Sequence, residues 1–173
     1  MVSHPKAGVK WGPYLSNCIK RGFSNLWILK RLVEIGAPLE DVQMTFVQRV
    51  RTHVEQNISL WAFSITKNTS NKIEKLQKAA VCIMLPLLSQ NMKDKDYKSK
   101  LDILGLELLE SRREKINNRF AKKTFDHSQH RKMFTLNPKR TTRLCRRVIV
   151  PHAKTQRYER SSIPSLAKII NQL

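Results

Sequence analysis

Acidic residues are the first shortage. Thirteen Asp and Glu stand against 33 Lys and Arg in 173 residues, a formal net charge of +20. Such a surplus opposes compaction through self-repulsion unless an anionic partner is present. Nucleic acid is the common partner for this balance, and an acidic membrane surface the rarer one. The few carboxylates are also scattered. One close pair, Asp94 and Asp96, lies in the run KDKDY, where Lys93, Lys95 and Lys98 oppose a divalent cation. Cysteine is scarce too. Cys18, Cys82 and Cys145 form no CxxC pair and no even framework. Reduced thiols of an intracellular protein, in nucleus or cytoplasm, are the expectation. Long apolar runs are missing: none approaches the roughly 20 residues that span a bilayer. No apolar segment is followed by a signal-peptide cleavage pattern, so no membrane partner is expected. Residues ahead of Glu34 carry Lys6, Lys10, Lys20, Arg21, Lys30 and Arg31 and no acid, as a mitochondrial presequence does. The basic character runs on to the C-terminus, so a presequence is not expected.

Chemical motifs are also lacking. There is no GxGxxG, P-loop or HExxH run. Serine and cysteine have no recognisable base partner nearby. His127 and His130 are three apart, and Cys145 and His152 follow, but zinc needs two pairs of suitable spacing. Exposed loop histidines are the expectation. Neither metal nor cofactor is implied. Trp11, Trp27 and Trp61 lie in no cluster of aromatics with interleaved cations, and Trp27 and Trp61 are expected in the core.

What the chain does carry is helical periodicity. Residues 1–13 are turn-prone and read as a connection. From Tyr14 to Ile35 a stripe of Leu15, Cys18/Ile19, Gly22/Phe23, Leu26, Leu29 and Val33 predicts one amphipathic helix. Gly36, Ala37 and Pro38 end it. A second helix starts near Leu39, with Glu40 and Asp41 well placed in its first turn. Leu39, Val42, Phe46, Val50 and Val54 mark its buried face, Arg51 can pair with Glu55, and the pattern reaches Trp61. Thr66, or Asn71 with Glu74, caps a third helix. Its stripe is Ile73, Leu76, Ala80, Ile83, Met84 and Leu87, and it ends near Pro86 to Leu88. Residues 90–100 read as a loop.

The stretch Leu101 to Lys123 organises the rest. Leu101 and Leu104 belong to a short helix that Gly105 stops with a left-handed cap. A longer helix follows, with Leu109, Ile116 and Phe120 on its apolar face. Beside that face run Arg112, Lys115, Arg119 and Lys122, four cations aligned over roughly 15 Å. Glu110 and Glu114 lie on other faces. A helix that buries one side and presents a cationic row on the next suits a polyanion. After about Asp126 basic residues dominate and periodicity lapses. Arg143, Arg146 and Arg147 are further candidate phosphate contacts, and Ser162 caps a last short helix with Pro164 in its first turn. This tail has too few apolar residues to fold alone.

The run LDILGLELLESRREKINNRFAKK resembles the segment after the thumb helices in reverse transcriptases of non-LTR retrotransposons of the jockey or CR1-like kind. The matching residues are Leu104, Gly105, Leu106, Leu109, Arg112, Arg113, Phe120, Ala121, Lys122 and Lys123. Five more blocks follow the family's order. Val9-Lys10-Trp11 is similar to the "LKW" after the palm's last strand. CIKRGFSNLWILKRL resembles the first thumb helix, and Arg51, Glu55 and Trp61 fall on "R-x-x-x-E-Y-x-x-x-x-W". IEKLQKAAVCIML resembles the next helix, and RYERSSIPSLAKIIN the terminal block. Gln56 replaces the usual Tyr and Ser59 the usual Pro, which loosens the second helix. The family's catalytic aromatic-Ala-Asp-Asp turn is absent from the sequence, so the resemblance implies a part that grips template–primer without catalysing.

The expected fold is therefore all-α. It comprises a linker remnant over 1–13, a helical thumb-like region over 14–125, and a basic, largely extended tail with a short terminal helix over 126–173. Non-specific binding of RNA or DNA backbone, with no enzymatic activity, is the expected function. A helical interaction module, pairing with a palm or with itself through exposed helix faces, is the alternative, as is a decayed reading frame without selected function.

Overall fold

Val42, Phe46, Val50 and Val54 recur every four residues, a longer period than the 3.6 of an α-helix. In the computed structural model the backbone accommodates this period by winding more loosely. The helix Leu39–Thr45 (α3) opens into a π-helical stretch, Phe46–Arg51, and closes again as Thr52–Glu55 (α4). All four residues are thereby buried. The structure describes residues 11–88, 94–137 and 148–172. Among them it is all-α, with a single isolated antiparallel bridge between Leu136 and Val148.

Internal contacts divide the chain into two units: Met1–Gln56 with Ile65–Leu108, and Asn57–Ser64 with Leu109–Leu173. This differs from the expected boundaries at 13/14 and 125/126. The cause is local. Gln56 leaves the helix with extended ψ, and Asn57 takes the left-handed conformation at φ 55°. The chain therefore turns, and Ile58–Trp61 (α5) packs with the C-terminal residues.

In the first unit, helix α1 is Trp11–Ser24 and α2 is Leu26–Glu34. Helix starts two residues before the expected end of the connection, so Trp11 to Pro13 are helical rather than linker. Residues 1–10 lie outside the described part. The pattern read as one helix is interrupted at Asn25, whose Nδ2 donates to the Arg49 carbonyl at 2.9 Å and meets His53 Nε2 at 2.9 Å. Two glycine caps end helices as expected. Gly36 (φ +76°) and Gly105 (φ +60°) each close a left-handed turn. At the first, Ala37 N–H donates to Leu32 C=O and Gly36 N–H to Val33 C=O. At the second, Leu106 N–H donates to Leu101 C=O and Gly105 N–H to Asp102 C=O, ending Tyr97–Ile103 (α7). Helix α7 begins inside the stretch read as loop.

Lys67–Met84 (α6) is capped by Thr66, whose hydroxyl accepts from Thr69 N–H at 3.2 Å. Its buried stripe is Ile73, Leu76, Gln77, Ala80, Val81 and Met84. Gly22 on α1 lets Leu76 approach closely: a Cβ there would lie 2.6 Å from Leu76 Cδ2, so the Leu76 side chain would have to shift. Gln77 is fully buried, and its amide donates to the Glu107 carbonyl at 2.9 Å and to the Tyr97 hydroxyl at 3.3 Å. The Tyr97 hydroxyl donates in turn to Glu74 at 2.7 Å. Burial first, and then the bond to the Glu74 carboxylate, push the phenol well above its ordinary pKa. The expected Arg51–Glu55 pair forms at 3.3 Å with both side chains largely buried.

The second unit builds a core from Ala121, Phe134, Val148, Leu166, Ala167 and Ile170, with Phe63, Phe125, Val150 and Ile169 packed against it. The sequence beyond Asp126 is thus not simply extended. It forms Ser128–Arg131 (α9), Gln156–Glu159 (α10) and Ser162–Ile170 (α11), and its apolar residues, too few alone, are completed by α5 and by Leu109–Asp126 (α8). The N-cap of α11 is Ser161 rather than Ser162, whose hydroxyl donates to the Leu60 carbonyl at 3.2 Å. Pro164 lies in the first turn, as expected.

Candidate nucleic-acid interface

Helix α8 is oriented by a buried stripe that hydropathy does not mark. Leu109, Arg113, Asn117, Ala121 and Thr124 face inward, against α11 and α5. The apolar face read from the sequence differs: Ile116 is half-buried and Phe120 is 39% exposed. The inward face is turned about 60° from the one that Leu109, Ile116 and Phe120 define, at 3.6 residues per turn. Small residues explain the choice. Ala121 is fully buried, and Thr124 returns its hydroxyl to the Phe120 carbonyl at 2.7 Å, so α11 can close on them where Phe120 would hold it away.

This rotation changes the setting of the cations. Arg112, Lys115, Arg119 and Lys122 span about 80° of the helix, and their centre lies about 160° from that of the buried stripe. They therefore look away from the core instead of running beside the apolar face. Lys115, Arg119 and Lys122 are exposed, and Arg112 is half-buried. Lys123, also exposed, falls on the same side. Its step of four from Arg119 was the available signal. Asp126 is the one acid of α8 on this face, at the helix end. The placement also suits the helix dipole, with Glu110 in the first turn and Lys123 in the last. Arg143, Arg146 and Arg147 lie outside the described residues.

The remaining exposed groups of this unit add little chemistry. His127 and His130 stack at 4.4 Å between ring centroids, and the Arg131 guanidinium covers the Phe125 ring at 4.5 Å. Lys168 Nζ donates to Glu159 at 2.8 Å, and this bond holds the carboxyl below its ordinary pKa. Among the described residues no group of three or more His, Cys, Asp or Glu could hold a metal ion. No helix among them is long and apolar enough to cross a membrane.

Of the two tryptophans expected in the core, Trp61 is fully buried and Trp27 is 61% exposed. Leu26 and Leu29 take the inward positions of α2, which leaves Trp27 on its outer side. Compared with protein-family models, curated proteins and solved structures, the chain matches none.

Proposed function

We propose that the chain is the thumb and post-thumb part of a non-LTR reverse transcriptase, acting inside the cell, in nucleus or cytoplasm, as a non-catalytic grip on nucleic-acid backbone. The observation that carries the binding is the outward cationic face of α8. Lys115, Arg119, Lys122 and Lys123 stand exposed on a helix whose opposite face is buried. A polyanion laid along that face releases counterions, which drives association without base contacts. Contacts of this kind hold register but carry no sequence information. The family assignment rests on the six sequence blocks and their order. The lack of the family's aromatic-Ala-Asp-Asp run in the sequence supports a non-catalytic role. A palm domain, or a second copy of this chain, is the protein partner this reading implies.

The test is salt dependence. Arg112, Lys115, Arg119 and Lys122 are replaced together by Gln, which keeps helix propensity. Binding of the parent chain to a mixed-sequence duplex should weaken linearly in a log–log salt plot. The slope should be about −0.9 per phosphate neutralised. The variant's slope should be shallower by roughly one unit for each lost contact, with an unchanged helical spectrum. An unchanged slope would make the face a solvated one and move the binding to Arg143, Arg146 and Arg147. Primer extension with Mg²⁺ or Mn²⁺ should be absent, and extension surviving further purification would refute the non-catalytic half.

A further inference from the structure

Asn25 interrupts α1 and α2 but keeps right-handed helical dihedrals, φ −78° and ψ −8°. Positions on its two sides therefore hold close to helical register. Lys20, Phe23, Trp27 and Lys30 follow one another at steps of three, four and three, so they form one stripe. All four are exposed, Phe23 by 41% and Trp27 by 61%. The order along the stripe is cation, aromatic, aromatic, cation. Phe23, Trp27 and Lys30 also line a cleft of about 500 Å³, with Leu26, Ala79 and Ile83 among its other walls. None of its lining residues is acidic.

We propose that this stripe, in the first unit, is a stacking platform for unpaired bases of a nucleic-acid strand. The inference rests on the nucleic-acid reading above and adds a substrate class to it. Three arguments favour this occupant. Aromatic rings left in water are costly, and every base offers a π-face that covers them without regard to sequence. Four residues of helix rise about 6 Å, comparable to two repeats of a base stack at about 3.4 Å per nucleotide. Lys20 and Lys30 bracket the rings with charge suited to the phosphates on either side of the stacked bases. A duplex hides its base faces, so this surface discriminates strand from duplex, whereas the α8 face does not.

The experiment compares an oligo(dT) strand with a mixed-sequence duplex on the full chain, read by anisotropy and by tryptophan quenching. Trp61 is fully buried and Trp11 half-buried, so quenching reports mainly on Trp27. Trp27→Ala should weaken oligo(dT) binding roughly tenfold, within the range for losing one stacked base, and leave duplex binding unchanged. Trp27→Phe should retain most of the strand affinity because it keeps a ring. Trp27→Leu should lose it, although the apolar area is nearly kept. Unchanged oligo(dT) binding in the Ala and Leu variants overturns the proposal. So does equal loss on strand and duplex. Full oligo(dT) binding by the Leu variant alone would likewise overturn it, marking the contact as apolar burial and not ring stacking. The quadruple Gln variant of α8 separates the two claims. If its duplex salt slope is unchanged, the α8 reading fails while the Trp27 effect on oligo(dT) still stands. If the parent chain binds neither strand nor duplex, both fall.

Discussion

The unit formed by Asn57–Ser64 with Leu109–Leu173 carries 17 Lys and Arg against 4 Asp and Glu, a net +13. The unit formed by Met1–Gln56 with Ile65–Leu108 carries 16 against 9, a net +7 on a longer stretch of chain. Their cores differ in the same sense. The first is built from apolar stripes on α1, α2, α3, α4 and α6, with Gln77 as its one fully buried polar side chain among the described residues. The second has a smaller apolar cluster and buries Arg113, Asn117 and Thr124 beside it. A highly charged unit with a small core has less hydrophobic stabilisation to set against self-repulsion. It relies more on single large side chains and on directed hydrogen bonds. The comparison therefore locates the unit that an anionic ligand would stabilise most.

The largest expected effect comes from removing Trp61, which is fully buried in the second unit. Trp61→Ala should cost about 3–5 kcal/mol, the range for a buried aromatic. Hydrogen exchange should then lose protection over Leu109–Asp126 and Ser162–Ile170 and keep it over Lys67–Met84. Equal loss in all three helices would break the comparison, because the two units would unfold as one.

Asn171 is the next lever. Its Oδ1 accepts from Val148 N–H at 3.0 Å and its Nδ2 donates to Val148 C=O at 2.9 Å. One side chain thus imitates a strand partner for a fully buried residue. Asn171→Ala leaves both backbone groups unsatisfied, at a cost of about 1–3 kcal/mol. Asn171→Asp keeps the acceptor and loses the donor, so its midpoint in urea should fall between parent and Ala. An Ala variant as stable as the parent would mean that water replaces the clasp.

These features explain what could be read from the chain alone. Helical stripes, the glycine caps at Gly36 and Gly105, the Thr66 cap and the Arg51–Glu55 pair depend on neighbours within a few residues, so local pattern discloses them. The break at Asn25 coincides with a hydrogen bond to Arg49, 24 positions away, which a local pattern does not disclose. The orientation of α8 follows from small residues packed by α11 and α5, so hydropathy points to Phe120 when Ala121 is what is buried. The core role of Phe134 and Val148 escapes a reading by composition because their partners lie on α8, α11 and the segment 57–64. Trp27 is misplaced for the opposite reason: aromatic character argues for burial, but its step from Phe23 puts it on the outer stripe.

In the first unit the corresponding sensitivity is conformational. Gly105 has φ +60°, and a Cβ there would meet nothing within 4 Å. Gly105→Ala therefore tests backbone strain alone, expected at about 1–2 kcal/mol for a left-handed L-residue. Gly105→Asn should recover part of the loss, since Asn enters this region more readily. Thermal unfolding followed at α6 and α7 would show it. If Ala is neutral, α7 ends without the left-handed turn, and the cap does not hold Leu106 in place.

The smallest effect belongs to the exposed pair Glu159–Lys168, and its sign with pH is fixed. The hydrogen bond from Lys168 and then its charge lower the Glu159 pKa; desolvation opposes them, and Arg160 adds the smallest lowering. A carboxyl lowered on folding stabilises above its unfolded value, about 4.3 for glutamate, and the contribution fades as pH falls through the lowered value. Lys168→Gln removes the two larger causes and leaves desolvation and Arg160, which oppose each other. The Glu159 carboxyl carbon, followed by NMR, should then titrate at higher pH than in the parent. The stability difference between parent and variant should be present at neutral pH, vanish in acid, and shrink in concentrated salt, because both side chains face solvent. A titration that does not move in the variant would assign the lowered pKa to the surrounding positive charge of the unit instead of to Lys168. That outcome would sharpen the contrast between the units, since the field of a net +13 would then act on its own acids as it is proposed to act on phosphate.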